Sequence, residues 1–334
     1  MKTQKLKYYL LVAIFYCFFS SYSQIDRKTL QENLTKIQSQ SNLPGFALTI
    51  IKNENIEFSE GFGYADRATK TQFTSETILP IGSISKTFIG FSVMKAIDLG
   101  YFTLETDINT ILPFKIINPH QPNKKITINS LVTHTSGLVD NEKFYIQAYN
   151  KGKKPTIKLG QYLKEYYSPK GKFYAKANFD KSKKTTYNYS NIASALTAYL
   201  IEIKSNMTFS EFTKKHLFEP LQMNNSHWFY DEDFAAKYAT LYQVDKSDSQ
   251  FRYLENSNGS LKTYSCATYP DGSLKTSVSD LAKYSIEMLK GYNGKSSLLS
   301  KSSYETLFKK QFDQKNNAIK NGRKRTKSCS FLGL

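Results

Sequence analysis

A serine and a lysine stand three residues apart where a strongly apolar helical pattern begins, and no other feature constrains the fold of this chain as much. The pair is Ser83 and Lys86, within the segment GSISKTF at residues 82–88. Apolar residues follow at mainly helical intervals and end before a possible capping glycine, Gly100; they are Ile84, Phe88, Ile89, Phe91, Met94 and Ile97. Because positions i and i+3 share one face of a helix, Lys86 is predicted to lie one turn above Ser83.

This placement would let the lysine amine take a proton from the serine hydroxyl. A serine hydroxyl is a poor nucleophile until a nearby base removes its proton, and a lysine can act as that base when its surroundings favour the neutral amine. The helix N-terminus adds backbone N–H groups that favour developing negative charge. The alternative is that Ser83 caps the helix and Lys86 is solvated, since both residue types are common in this chain.

A second candidate pair, Tyr189 and Asn191, precedes another apolar run. The run is spaced as on a buried helix and consists of Ile192, Ala195, Leu196, Tyr199, Leu200 and Ile203. A phenol can shuttle a proton between a serine and a leaving group. A carboxamide can bind both a lysine and a substrate carbonyl or amide. The alternative is an ordinary helix cap rich in tyrosine, because the chain contains 24 tyrosines.

Four further motifs occur in a fixed order around these residues. They are GFGYAD at residues 61–66, LVTHTSGL at 131–138, FEPLQM at 218–223 and PDGSLKTS at 270–277. With them, the chain resembles the class C β-lactamase and penicillin-binding-protein-like serine hydrolases, the β-lactamase-related family. The resemblance extends from about Gly45 to about Lys310.

The resemblance implies an α+β fold in which a helical lobe packs on an antiparallel sheet and the nucleophile lies in the crevice between them. By matching position, it implies that Ser83 is the nucleophile, Lys86 its basic partner and Tyr189 the proton shuttle. In the same way, it implies that Asn191 is a polar substrate anchor and that His134 is a scaffold residue. The expected reaction is hydrolysis of an amide, a β-lactam or an ester through an acyl-enzyme, on a small-molecule or peptidoglycan-derived substrate. The resemblance does not select one substrate among these.

One family motif is missing from its expected place. The family's third box, Lys-Thr-Gly or His-x-Gly, lies on a strand beside the nucleophile and contributes a cation or imidazole and one oxyanion-hole N–H. None of the four histidines is followed two residues later by glycine. The nearest match is Lys275-Thr276-Ser277, yet Ser277 and Asp280 resemble a capping pair that predicts a helix start. A second hypothesis is therefore a non-catalytic penicillin-binding-like module, or an inactive fragment, in the cell envelope.

The two ends of the chain differ in composition from its middle. Residues 1–23 combine three lysines, a short apolar run and small residues, which predicts a signal peptide cleaved near Ser23 and a periplasmic or secreted protein. The alternative, a retained membrane anchor, would need a longer apolar segment. Residues 24–312 are expected to form the hydrolase domain. Residues 313–334 predict a basic tail that arises from truncation or a frameshift, with the C-terminal strands and the third box absent.

The net charge of +18 indicates which kinds of binding partner to expect. A strongly basic exported protein can associate with anionic envelope surfaces. Export and the lack of a binding motif argue against a nucleic-acid partner. The cysteines outside the signal peptide, Cys266 and Cys329, give no disulfide framework, and no metal-ligand cluster or cofactor motif is present in the sequence. We expect a monomer without metal or cofactor.

Local patterns predict the order of the elements. Leu30, Leu34 and Ile37 are spaced as on an amphipathic helix. Residues 46–51 and 56–61 flank an Asn-Glu pair and predict a β-hairpin that opens an antiparallel sheet. From about Ser83 to about Lys310, a wholly helical region is expected.

Overall fold

The computed structural model describes residues 26–182, 184, 187–242 and 252–311, together with residues 319–320 and 323–324. The predicted signal peptide, Cys17, Cys329 and most of the basic tail lie outside these residues. Within the described part, no helix is both long and apolar enough to cross a bilayer.

The N-terminal region consists of a helix and a β-hairpin extended by a short third strand. Its elements are α1 (Arg27–Gln40), β1 (Gly45–Lys52), β2 (Asn55–Asp66) and β3 (Thr71–Gln72), with the strands antiparallel in the order β1-β2-β3. Asn53 and Glu54 form the turn with φ values of 50° and 64°. This left-handed backbone conformation matches the twist of the two strands that a two-residue turn joins. The predicted N-terminal helix and hairpin are both confirmed.

Helices make up most of the remaining regular structure. They are α2 (Ser85–Asp98), α3 (Ile128–Val132), α4 (Glu142–Tyr145), α5 (Leu159–Tyr167), α6 (Asn191–Ser205), α7 (Phe209–Thr213), α8 (Val278–Tyr292) and α9 (Lys301–Phe308). Helices α2 and α6 pack against each other in the core. Both are apolar on nearly every side, which is typical of helices surrounded by protein. Helix α6 is capped at its N-terminus by Ser190 and is followed by Asn206, whose backbone is left-handed.

Short strands precede, interrupt and follow this helical part of the chain. They are β4 (Leu79–Pro80), β5 (Tyr149–Lys151), β6 (Tyr264–Cys266) and β7 (Lys275–Thr276), followed by β8 (Ile319–Lys320) and β9 (Arg323–Lys324). Three antiparallel pairs form, namely β4 with β7, β5 with β6, and β8 with β9. The expectation of a wholly helical region from about Ser83 to about Lys310 is therefore wrong. Segments of two or three residues are too short to show the alternation by which a strand is recognised in sequence.

The fold is α+β, as the sequence predicts, with helices packed beside an antiparallel sheet. Helix α8 packs on β1 and β2, and α1 packs on β2. The two parts differ in burial. No residue of β1 is fully buried, whereas ten of the fourteen residues of α2 are. The hydrophobic core therefore centres on the helices, and the candidate site lies at the end of the most buried ones.

Candidate active site

Ser83 lies in the 3₁₀ turn Gly82–Ile84, which leads directly into α2. Gly82 has a φ of 55° and open space where a Cβ would stand, so the backbone conformation rather than crowding favours glycine there. The turn is held by Leu274, whose carbonyl accepts from the Ile81 N–H at 3.0 Å. The Leu274 N–H donates to Ser85 Oγ at 3.2 Å. The serine is thus fixed between β4 and α2, one short turn before the helix on which it was predicted.

Lys86 is buried, with only 1% of its surface exposed. Its Nζ lies 3.3 Å from Ser83 Oγ and donates to Asn191 Oδ1 at 2.7 Å and to the Asp271 carbonyl oxygen. This burial contradicts the alternative of a solvated lysine. The turn and α2 also have no side-chain cap, so Ser83 is not a capping serine.

Tyr189 contacts the same serine from the start of α6. Its hydroxyl donates to Ser83 Oγ at 2.9 Å. The Lys86 Nζ lies 5.0 Å from the centroid of its ring, close enough for an attractive cation–π contact when the amine is charged. The structure therefore brings Ser83, Lys86, Tyr189 and Asn191 into one connected group. Two ionisable side chains, Lys86 and Tyr189, are therefore within hydrogen-bond distance of Ser83 Oγ.

His134 supports the backbone around Tyr189. Its Nδ1 accepts from the Ser190 N–H at 3.2 Å, and its carbonyl accepts from the Asn188 N–H at 2.8 Å. The imidazole lies against the Tyr189 ring, with centroids 4.7 Å apart. These contacts hold the tyrosine in place, which is the role of a scaffold residue rather than of a base for Ser83.

A cavity of about 660 Å³ opens beside Tyr189 and Asn191. Three of the side chains that line it are acidic and one is basic; they are Asp140, Glu142, Asp180 and Lys181. Tyr189 and Asn191, at the start of α6, both form part of its wall. Its acidic character contrasts with the net charge of +18 on the whole chain.

Comparison with known proteins shows which family this chain belongs to. The Beta-lactamase family model matches residues 30–323. The chain belongs to the β-lactamase family. The chain is 25% identical over 284 residues to the "Putative penicillin-binding protein PbpX" of Bacillus subtilis (strain 168), covering 84% of this chain and 63% of that protein. It is 25% identical over 203 residues to "Penicillin-binding protein 4*" of the same organism, covering 61% of this chain and 42% of that protein.

Solved structures show the same fold as this β-lactamase-family chain. The octameric penicillin-binding protein homologue from Pyrococcus abyssi has a TM-score of 0.64 and 23% identity, covering 86% of this chain and 61% of its own. The β-lactamase/D-alanine carboxypeptidase from Pseudomonas syringae has a TM-score of 0.61 and 22% identity, covering 83% and 68%. The chain thus spans about three fifths of the length of PbpX and of the Pyrococcus homologue. The expected monomer stays a prediction.

Asp140 is a site residue of this β-lactamase-family chain that the sequence analysis missed. Its two carboxylate oxygens accept four hydrogen bonds from the start of α6, at distances of 2.8–3.0 Å. One of these donors is the side-chain amide of Asn191. The available signal was its position two residues after the motif LVTHTSGL. A carboxylate near a helix N-terminus is favoured by the exposed N–H groups there.

Asp271 is the second residue that the sequence did not single out. Its carboxyl group is buried and accepts from the Tyr145 hydroxyl, which lies 3.2 Å from both oxygens. Burial raises the pKa of Asp271 to about 7, although the charge of Lys86 opposes that rise. An acid and the lysine are therefore enclosed together behind the serine.

The segment around Lys275, the nearest match to the third box, combines a short strand with a helix cap. The predicted helix start is confirmed, because Ser277 caps α8 and accepts from the Asp280 N–H at 3.3 Å. The two residues before the cap nevertheless form β7 beside the strand that leads to Ser83. The Lys275 ammonium donates to the carbonyls of Trp228 and Ser273, each at 3.2 Å. Burial lowers the pKa of Lys275 to about 8.

No metal centre is found in the described ranges of the chain, where no group of three or more His, Cys, Asp or Glu side chains could hold an ion. Cys266 is a free and buried cysteine, and burial raises the pKa of its thiol. Its Sγ is hydrogen-bonded with Thr268 Oγ1 at 3.1 Å.

Proposed function

We propose that this chain is a serine hydrolase that acts through an acyl-enzyme. The observation that supports it is the double contact of Ser83 Oγ, which lies 3.3 Å from Lys86 Nζ and 2.9 Å from the Tyr189 hydroxyl. In the first step, Ser83 Oγ attacks a carbonyl carbon while its proton passes to the Lys86 amine. The leaving group then departs with the Tyr189 proton. The protonated Lys86 in turn gives a proton to Tyr189. Water attacks the resulting ester, releases the acid and returns the proton to Ser83.

The surroundings of the serine fit this sequence of steps. Lys86 is shielded from water, so its proton transfer would take place in a medium of low dielectric constant. Ser83 lies directly before the N-terminal end of α2, where the helix dipole and free N–H groups favour developing negative charge. Asn191 lines the cavity and can bind a substrate carbonyl or amide while it holds Lys86.

Candidate substrates are β-lactams, peptidoglycan-derived peptides that end in D-alanine, D-amino-acid amides and small esters. The names of the relatives, two penicillin-binding proteins and a β-lactamase/D-alanine carboxypeptidase, support the first two. All four classes contain a carbonyl that can acylate a serine. No nucleic acid enters this proposal.

Labelling with an active-site probe tests the proposal. The purified protein is incubated with a fluorescent penicillin and, separately, with a fluorophosphonate, and the modified peptide is located by mass spectrometry. We expect one label on Ser83, none in Ser83→Ala, and full labelling in Ser302→Ala, which removes an exposed serine far along the chain. Labelling that persists in Ser83→Ala would show that another residue is the nucleophile.

A second candidate is a penicillin-binding module that binds cell-wall fragments without turnover. It is favoured by the hydrogen bonds of Lys275, whose ammonium donates to protein carbonyls although its strand lies beside the nucleophile. Steady-state hydrolysis of a chromogenic β-lactam or an ester separates the two functions. Turnover beyond one equivalent supports the hydrolase, and binding without any product supports the module.

We further propose that the protein is exported and acts in the periplasm or outside the cell. The support is the composition of residues 1–23, with basic residues before a short apolar run. The net charge of +18 would then favour contact with anionic envelope surfaces. N-terminal sequencing of the protein from cell fractions tests this, with a mature chain beginning near Gln24 expected in the exported fraction.

A further inference from the structure

Four hydrogen-bond donors converge on the carboxylate of Asp140. Oδ1 accepts from Ser190 Oγ at 2.8 Å and from the Ile192 N–H at 3.0 Å. Oδ2 accepts from both the backbone N–H and the side-chain Nδ2 of Asn191, each at 2.9 Å. An ionised carboxylate has about four acceptor positions, so this one is fully used at the start of α6.

This arrangement decides which way the Asn191 amide faces. The oxygen and nitrogen ends of an asparagine side chain are nearly the same in shape, and only their hydrogen bonds distinguish them. A carboxylate can accept and cannot donate, so the Nδ2 end must face Asp140. The Oδ1 end is then turned toward Lys86, whose Nζ lies 2.7 Å away.

The orientation of Asn191 in turn decides what Lys86 can do. A neutral lysine amine has two N–H donors and one lone pair. Two groups that can only accept, Asn191 Oδ1 and the Asp271 carbonyl, occupy the two donors. The lone pair is then left for the third neighbour, the hydroxyl of Ser83 at 3.3 Å. With the amide reversed, an N–H of Asn191 would compete for that lone pair.

We propose that Asp140 is a positioning residue, which fixes the orientation of Asn191 and thereby directs the lone pair of Lys86 toward Ser83. The inference rests on the proposed acyl-enzyme function. Asp140 acts through Asn191 and does not touch the reacting atoms. During acylation, the Ser83 proton moves to the Lys86 amine, and the resulting ammonium keeps its bonds to Asn191 Oδ1 and the Asp271 carbonyl.

The test compares single and double variants by their rate of acylation with a fluorescent penicillin. Asp140→Asn places an amide NH₂ among the four donors, so Asn191 loses its fixed orientation. We expect the acylation rate to fall by about 10- to 100-fold, less than the roughly 100- to 10,000-fold loss typical of removing a general base. The acid limb of the pH profile is expected to move to lower pH, because an N–H donated to the lysine nitrogen favours its neutral form.

A double-mutant cycle shows whether Asp140 acts through Asn191. Asn191→Ala should itself slow acylation, and adding Asp140→Asn to it should change the rate by less than about twofold, since the shared intermediary is already gone. Full additivity of the two effects would overturn the proposal. Asp140→Glu, which keeps the charge and the acceptors, should recover part of the lost rate.

Two controls separate positioning from stability and from the proposed function. Asp107→Asn removes another capping carboxylate, which accepts from the Asn109 N–H at 2.9 Å, and should lower thermal stability without slowing acylation or moving the pH profile. In the wild type, the Asn191 side-chain amide should give a slowly exchanging NMR signal, lost in Asn191→Ala; fast exchange would overturn the inference even if Asp140→Asn fails to fold. A wild type that never acylates would instead contradict the proposed function.

Discussion

Helix α2 and strand β1 are both apolar segments, yet they differ in how deeply their residues are buried. Ten of fourteen residues of α2 are buried, including the charged Lys86, whereas every residue of β1 keeps part of its surface in contact with solvent. All four predicted site residues are attached to α2, to the turn before it or to the start of α6. The comparison shows that the candidate site lies in the more deeply buried part of the fold, which resists local displacement better than an exposed strand.

The largest effect is expected for Lys86→Arg, which tests whether the buried helix supplies a base. Arginine keeps the positive charge but does not deprotonate at working pH, so it cannot accept the serine proton. We expect the rate of acylation by a penicillin to fall by about 100- to 10,000-fold. Lys301→Arg, at an exposed position of α9, is the matched control and should leave the rate unchanged. Normal acylation by the Lys86 variant would mean that Tyr189 alone moves the proton.

The next effect concerns stability and compares α2 with β2, the strand that pairs with β1. Phe91 on α2 is 1% exposed, and Ile56 on β2 is 47% exposed. Replacing a buried phenylalanine by alanine removes its burial and leaves a cavity, so Phe91→Ala should lower the free energy of unfolding by about 3–5 kcal/mol. Ile56→Ala should lower it by less than about 1 kcal/mol. Urea unfolding of both variants checks this, and similar losses would show that the sheet is as tightly packed as the helices.

A third prediction concerns the buried carboxyl group of Asp271. Because burial raises the pKa of Asp271 to about 7, the folded protein binds one more proton than the unfolded chain between about pH 4 and pH 7. The stability of the wild type should therefore fall as the pH rises through this window, and Asp271→Asn should lose that part of the slope. Thermal unfolding from pH 4 to pH 8 measures it. Parallel curves for the two proteins would show that Asp271 is already ionised at low pH.

The smallest effect is expected at the hairpin turn. Glu54 accepts from the Lys295 ammonium at 2.7 Å, and this hydrogen bond lowers the pKa of Glu54 below its ordinary value. The contribution of this ion pair to the stability of the fold is present at neutral pH and is lost as the pH falls through the acidic range. Because exposed ion pairs contribute little and are screened by salt, Glu54→Gln should lower the melting temperature by less than about 2 °C. The difference should vanish in about 1 M salt. A larger shift would mean that the hairpin is anchored more firmly than its exposure indicates.

The local elements of this fold could be predicted from sequence because their signals are local. The Asn53-Glu54 turn, the cap at Ser277 and the apolar runs after Ser83 and Tyr189 each lie within a few residues of the element that they specify. The ordered motifs also pointed to four side chains that the structure brings together. What these side chains do in catalysis stays a proposal.

The remainder could not be predicted because it depends on contacts between distant segments. Strands β4 and β7 have two residues each and exist only because they pair with each other. Asp140 and Asp271 look like ordinary loop acids until the fold places one at the start of α6 and the other behind Lys86. The burial of Lys86 likewise comes from neighbours far along the chain, so helical spacing alone could not exclude a solvated lysine.

The contacts that hold the turn of Ser83 also determine when this turn can become fully ordered during folding. Lys86 and the Asp271 carbonyl are separated by 185 residues along the chain, and Ser85 and the Leu274 N–H by 189. Contacts of such long sequence separation form slowly during folding, because a long loop must close before they contribute. A ribosome that has released only the first 250 residues or so has therefore not yet delivered the segment that holds the serine turn. The proposed nucleophile therefore gains its complete surroundings only after the segment around Leu274 has packed against the start of α2.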